Sequence, residues 1–376
     1  MYHSNFMDLS KTFDTVDKSI LKQKLYELGL TDNSTSLIDS YMSNRKFCMN
    51  NEPEYYNLTF GVPQGSILGP LLFIMYTFDM TTITKHNKLI VYADDTTVLI
   101  SGKSLTEAKQ HSNDILNRFY EYFTINKLSI NPSKTKYMIY KPIHSSHKNK
   151  RQFHDTTNTE LIMDNIPLKQ VQKIKFLGVI INDKLTWDDH KKLIHNKICK
   201  NFGIIYKCKQ VMDENEGIKM YKTFIQPYFQ YGIEVWGHSI QSDNDILLKL
   251  QSKIIRILFG CKRSEDAWRH SNAQILGVKD LYIITIKKLC MKHHYGSLPI
   301  HFSTNVMPKF NIYQLQNKIS RVSLEQMYNY KNEPNSSNSL IKFNCVKHWN
   351  SLPFDIKLLP YVSCKETMYK NLKKLS

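Results

Sequence analysis

Up to about Asn182, short β-rich runs alternate with helical periods; beyond it, helical periods take over. A single bundle or a single sandwich cannot have this pattern. The two stretches therefore read as differently organised regions of the chain. Phe6–Leu9 is a short apolar run ending around Asp8, and from Lys18 the apolar residues Ile20, Leu21, Leu25 and Leu28 recur at helical spacing, with Gly29 as a stop. A second helix is expected over Thr35–Met42. Phe47–Met49 and Tyr55–Phe60 flank Asn50–Pro53 and predict a hairpin, and Lys88–Ala93 and Thr97–Ile100 flank Asp94-Asp95 and predict another. Between them, Gly61–Ser66 is a turn and Leu68–Met80 an apolar helix. Leu105–Phe123 is amphipathic, and Tyr137–Lys141, Leu161–Ile166 and Lys173–Ile181 read as strands. Later helices are expected over about 189–209, 214–229, 243–259 and 279–295. His144–Thr159 reads as a polar loop, and 301–340, rich in Asn, Ser and Pro, as a loose connector.

Charge follows the same division. The net charge is +18; residues 1–182 hold 21 basic and 17 acidic side chains, and residues 183–376 hold 30 and 16. This suits a polyanionic partner, nucleic acid or an anionic membrane surface, held mainly by the second half, the alternative being a lysine-rich solvated surface. Seven irregularly spaced Cys without a CxxC pair point to reduced thiols. Cys290 with His293 and His294 resembles half a zinc site, but no second half follows. No signal peptide opens the chain, and the longest apolar stretch, Pro70–Phe78, is too short to span a bilayer. A soluble protein without membrane contact, cytoplasmic and/or nuclear, is expected.

Three carboxylates stand out: Asp8 at a strand end, and Asp94 with Asp95 at a hairpin tip. Adjacent acids in a turn oppose one another's ionisation unless a cation offsets them. Hard divalent cations suit such a cluster, because Mg²⁺ takes one or two carboxylates together with substrate phosphates. A bare Asp-Asp pair is more often an ordinary turn. The surrounding residues decide otherwise.

Tyr92-Ala93-Asp94-Asp95 resembles the YADD box of reverse transcriptases. Met7–Asp17, reading MDLSKTFDTVD, resembles the box that precedes it in non-LTR retrotransposon polymerases. Gly61–Pro70, reading GVPQGSILGP, resembles a third box of that family. Leu128–Thr135 resembles the LxxNxxKT box, and Phe176-Leu177-Gly178-Val179 the primer-grip strand. Their order is also the family's. Leu185–Trp187, Tyr228–Trp236, Gln251–Arg256 and His348–Pro353 resemble, more weakly, the region after the polymerase in insect and tick pol-like transposon proteins.

The resemblance implies an α+β polymerase palm with an antiparallel sheet and partial fingers over residues 1–182, a helical thumb-like region over 183–300, and a C-terminal region over 301–376. It implies an RNA-directed DNA polymerase acting on an RNA template, a DNA primer and dNTPs. Asp8, Asp94 and Asp95 would hold two Mg²⁺ ions, and the backbone carbonyl of Leu9 would add a ligand. Phe13 would exclude a ribose 2′-hydroxyl by clash, although ordinary core packing would also account for an aromatic residue there. Gln64 would contact the incoming nucleotide, with Gly61 and Gly65 allowing close backbone approach. Lys134, with Lys136 as the backup, would be the candidate general acid, although an ordinary surface lysine would account for it equally well. Phe176, Leu177 and Gly178 would support the primer end, beside Tyr92. Trp187, Tyr206 and Tyr221, with interleaved lysines, would grip the template–primer backbone, although packing in the thumb core accounts better for most of these aromatics.

Relatives place fingers strands and basic triphosphate-binding side chains upstream of the first box, so an N-terminally truncated polymerase is expected. The alternative is a catalytically silent remnant that still binds nucleic acid. Oligomeric state is not indicated.

Overall fold

The computed structural model describes residues 2–48, 54–84, 88–140, 160–240, 242–263, 265, 274–305, 307, 310–311, 326–327 and 341–352. The Asn50–Pro53 turn, the His144–Thr159 loop, most of the 301–340 connector and Pro353 lie outside them. Two compact units form: Met1–Ile174 with Asn182–Leu185, and Lys175–Ile181 with Thr186–Ser376.

The first unit is built on β1 (Tyr2–Ser10), which is flanked by β5 (Asp95–Ser101) and β7 (Lys136–Ile139), both antiparallel to it. β4 (Lys88–Tyr92) closes one side against β5, and β10 (Lys169–Gln170) joins β7 in parallel, giving the order β10-β7-β1-β5-β4. The end of β1 also pairs with β6 (Ser129–Ile130). The mixed α+β architecture and antiparallel core expected for a palm are present. β1 is longer than the apolar run suggested because His3, Ser4 and Asn5 are buried within it despite being polar.

Helices cover this sheet. α4 (Leu105–Ile125) starts where the Ser104 side chain accepts from the Glu107 N–H, and it buries Ala108, Ser112, Ile115, Leu116, Phe119 and Phe123 along one stripe. α1 (Lys18–Glu27) packs on α2 (Asp32–Met42) and α3 (Leu68–Tyr76). The expected Leu68–Met80 helix is therefore α3 plus a 3₁₀ stretch over Phe78–Thr84. Lys24, buried at the α1–α3 contact, donates to the Tyr76 carbonyl at 2.6 Å and to Asp79 Oδ1 at 2.8 Å. A buried ammonium is tolerated only with such partners. β2 (Lys46–Phe47) and β3 (Tyr56–Asn57) form the first predicted hairpin.

Two expected strands are hairpins instead. Leu161–Ile166 turns at Asp164 and Asn165, both at positive φ (51° and 59°), so β8 (Ile162–Met163) pairs back with β9 (Ile166–Pro167). Lys173–Ile181 turns at Leu177 and Gly178 (φ 44° and 82°), separating β11 (Lys173–Phe176) from β12 (Val179–Asn182). An L side chain at Leu177 gave no sign of such a turn.

The second unit is helical: α5 (Asp188–Lys200), α6 (Phe202–Lys209), α7 (Glu214–Phe224), α8 (Gln226–Gln230), α9 (Ile233–Trp236), α10 (Ile246–Phe259) and α11 (Val278–His294). The 189–209 period divides at Asn201, and the 214–229 period divides ahead of Pro227, whose ring cannot continue a helix. Tyr221, Phe229, Trp236 and Trp349 are wholly buried at the centre. Tyr221 is thus a core residue rather than an exposed grip, its hydroxyl accepting from Gln251 Nε2 at 2.8 Å. No described helix is long and apolar enough to cross a membrane.

Candidate active site

The register of one ladder sets the geometry. Asp8 near the end of β1 stands opposite Asp95, the first residue of β5. Asp95 in turn pairs with Tyr92, so Ala93 and Asp94 form the tight connection, with Ala93 at φ 52°. The three carboxylates therefore share one end of the sheet. Asp95 titrates above the ordinary carboxylate range, first because its carboxyl is partly desolvated, then because the charges of Asp94 and Asp8 oppose it.

Facing like charges favour a cation between them. Among the described residues, however, no three His, Cys, Asp or Glu side chains gather tightly enough to cage a metal ion. A divalent ion here would draw part of its oxygen shell from a ligand such as phosphate, which suits Mg²⁺. All the protein donors at this sheet end are hard carboxylate oxygens, so the residues present fit it.

Beside Asp8 lies the Asn131–Thr135 turn. The Asn131 N–H donates to the Asp8 carbonyl at 2.9 Å, and the Asp8 N–H donates to Thr135 Oγ1 at 3.3 Å. These bonds bring the Lys134 ammonium 3.9 Å from Asp8 Oδ2, both side chains being open to water. Lys136 is held in β7, paired with Phe6. Leu9 is buried and its backbone pairs with Ile130.

A second knot joins Lys11–Asp17 to the Gly61–Gln64 turn. The Val62 N–H donates to the Phe13 carbonyl at 2.7 Å, and the Gly61 N–H to the Val16 carbonyl at 2.9 Å. A Cβ on Gly61 would lie 2.8 Å from Asp14 Cα, so this glycine serves close approach to the chain's own backbone. Gly65 (φ 80°) has open space around it. Gln64 Nε2 donates to Asp14 Oδ1 at 2.7 Å. Asp14 lies inside the Met7–Asp17 box, but nothing in its spacing announces Gln64 as its partner. Arg45 stands in no motif. Its guanidinium donates to the carbonyls of Met42, Phe60 and Gly61, tying the turn to the end of α2.

Phe13 is half-buried, its ring centroid 4.8 Å from that of Phe73. It opens on an apolar cavity of about 690 Å³ that reaches Tyr92 and Ala93. The cavity thus runs from Phe13 to the hairpin that carries the paired acids. Phe176, Leu177 and Gly178 belong to the second unit. There the Tyr231 hydroxyl donates to the Leu177 carbonyl at 2.7 Å, and a Cβ on Gly178 would meet the Tyr231 ring at 2.8 Å.

Residues 3–181 match the family model described as reverse transcriptase (RNA-dependent DNA polymerase). The chain is similar to a probable RNA-directed DNA polymerase from transposon X-element of Drosophila melanogaster, 26% identical over 302 residues, which cover 77% of this chain and 31% of that protein. It is similar to the RNA-directed DNA polymerase from mobile element jockey of Drosophila funebris, 28% identical over 278 residues, or 68% of this chain and 28% of that protein. The chain thus spans less than a third of these relatives. Among solved structures, telomerase from Candida albicans in complex with a TWJ fragment of telomeric RNA aligns with a TM-score of 0.38 and 14% identity, over 70% of this chain and 48% of that one.

Proposed function

Residues 3–181 belong to the reverse transcriptase family, of the non-LTR retrotransposon type, and from that premise we propose that the chain carries the polymerase centre of an RNA-directed DNA polymerase. The observation that carries this reading is the Asp8–Asp95 pairing with Asp94 in the adjoining turn.

In the reaction, a primer 3′-hydroxyl oxygen bonds to the α-phosphorus of a dNTP and gives its proton to water, the α–β phosphoanhydride breaks, and pyrophosphate leaves. Two Mg²⁺ ions held by Asp8, Asp94 and Asp95 would supply stabilisation of the charge gathering on the phosphate oxygens. Lys134, whose ammonium lies 3.9 Å from Asp8 Oδ2, would give a proton to the leaving pyrophosphate. Phe13, braced by Phe73, presents its ring to the sugar and leaves no room for a 2′-oxygen. Gln64, oriented by Asp14, contacts the nucleotide, and Gly65 and the Leu9 backbone line its approach. Phe176, Leu177 and Gly178 are assigned to the primer end by resemblance, Tyr231 fixing their turn.

Primer extension on a primed RNA template with dNTPs and Mg²⁺ is the test. Extension by the native chain, lost in Asp94→Asn/Asp95→Asn, is expected. Absence of extension with template–primer binding retained would favour the silent nucleic-acid-binding alternative.

A further inference from the structure

The Tyr228–Trp236 segment supplies no group to the proposed chemistry, yet it closes on the turn assigned to the primer end. β11 and β12 are joined by Leu177 and Gly178, both at positive φ (44° and 82°). Such two-residue connections favour Asn-Gly, because both positions need the left-handed region. A leucine at the first is disfavoured locally. It persists only where its surroundings over-determine it, and strain of this kind gathers at functional sites.

The surroundings come from the helical unit, to which Lys175–Ile181 belongs. Tyr231, at the end of α8, donates its hydroxyl to the Leu177 carbonyl at 2.7 Å, and its ring stands 2.8 Å from where a Cβ on Gly178 would be. Gly232 follows at φ 61°, and a Cβ there would come within 3.1 Å of Val179 Cγ2. Behind the turn, the Ile180 N–H donates to His190 Nδ1 at 3.2 Å.

Both holds rest on one side chain. Trp236 is wholly buried, and its indole N–H donates to the Tyr231 carbonyl at 2.9 Å. Its ring meets that of His190 edge-on, with centroids 5.5 Å apart. The indole thus fixes the residue that holds the turn and the residue that holds the strand behind it. Tyr231 itself is 58% exposed. Core packing does not explain a tyrosine there; its bond to the turn does.

We propose that Tyr231 is a positioning residue for the primer 3′ end, acting through the Leu177–Gly178 turn, with Trp236 and His190 as its support. The proposal rests on the polymerase reading for what the turn touches. Tyr231 acts on where the 3′-hydroxyl stands and not on the nucleotide. Its hydroxyl should therefore matter for turnover and not for nucleotide binding.

The test compares Tyr231→Phe, which keeps the ring and loses the hydroxyl, with Tyr228→Phe, three residues earlier on α8. In steady-state extension of a primed RNA template with dNTPs and Mg²⁺, Tyr231→Phe is expected to lower kcat about five- to ten-fold and to leave the dNTP KM within about two-fold. A second readout needs no chemistry. A DNA primer with 2-aminopurine as its 3′-terminal base is annealed to an RNA template and bound by the full chain. The fluorescence change seen with the native chain should be lost in Tyr231→Phe, while affinity and the signal of an internal 2-aminopurine stay as they were. Tyr228→Phe should match the native chain in both readouts, and unchanged thermal unfolding separates the effect from a folding defect. Tyr231→Phe behaving as Tyr228→Phe, a loss carried by the dNTP KM, or equal losses at the terminal and internal probes would overturn the proposal. Failed extension with a Tyr231-dependent terminal signal would remove the polymerase reading and leave the role of Tyr231 standing; native extension indifferent to Tyr231→Phe would do the reverse.

Discussion

At Gly61 a side chain would have to occupy space already held by the Asp14 backbone, with φ at 80°. The Phe13–Asp14 segment and the Gln64 turn are therefore one packed object, and Asp14 is its polar link. Because Gln64 Nε2 gives one hydrogen to Asp14, the amide oxygen and the second N–H of Gln64 would be left for the proposed nucleotide contact. Asp14→Ala is expected to raise the dNTP KM several-fold, about the effect of one net hydrogen bond, with kcat little changed. Asp14→Asn, which can still accept, should restore most of the loss. Steady-state extension kinetics check this, and equal KM values for native protein and Asp14→Ala would refute the orienting role. The polar surroundings of Asp8 follow the same logic: its backbone is fixed through Thr135 and Asn131, and its carboxylate, half-exposed, has only the solvent-open Lys134 ammonium 3.9 Å away as a partner among the described residues.

Among the elements, α1 shows how a cap ties a helix to the sheet layer. Asp17 accepts from the N–H groups of Ser19 and Ile20 at 2.9 and 3.1 Å, and from Lys127 Nζ at 2.7 Å. Burial works against its ionised form, but Lys127 and the two backbone donors outweigh it and hold the carboxyl below its ordinary 3.8. The stabilisation is therefore present above that value and is lost as pH falls through the lower folded one. Asp17→Ala should cost about 1–2 kcal/mol at neutral pH, with the difference shrinking below about pH 3.8. Urea unfolding at pH 7 and pH 3 measures it; a cost independent of pH would mean that the ion pair contributes nothing.

Across the whole molecule, both units hold neutral histidines in their interiors. His3, His190 and His348 are each lowered to about 4 by burial, helped by nearby lysines. The unfolded chain takes up these protons from pH 6.5 downwards while the folded chain does not, so stability falls between pH 6.5 and about 4. For His3, whose ring nitrogens lack partners among the described residues, the loss is on the order of 3 kcal/mol. Melting temperatures should drop steadily from pH 7 to pH 4.5, and His3→Leu should flatten part of that drop. A flat profile in the native chain would show that these rings are solvated.

Local chemistry carried far in this chain. The hairpin bearing Asp94-Asp95, the start of α4 at Ser104 and the change to helices near residue 182 follow from patterns a few residues long, because turn, cap and periodicity preferences act at that range. The same is true of the positive charge of the second half. Packing decided the rest. That Asp8 faces Asp95, that Gln64 finds Asp14, and that His190 meets Trp236 behind the Leu177–Gly178 turn are all pairings between distant segments. Each is settled by which faces are buried together, a free energy that no single segment contains. Leu177 makes the point in miniature. Its left-handed backbone is disfavoured locally and persists because the Tyr231 hydroxyl holds its carbonyl and the ring closes over Gly178.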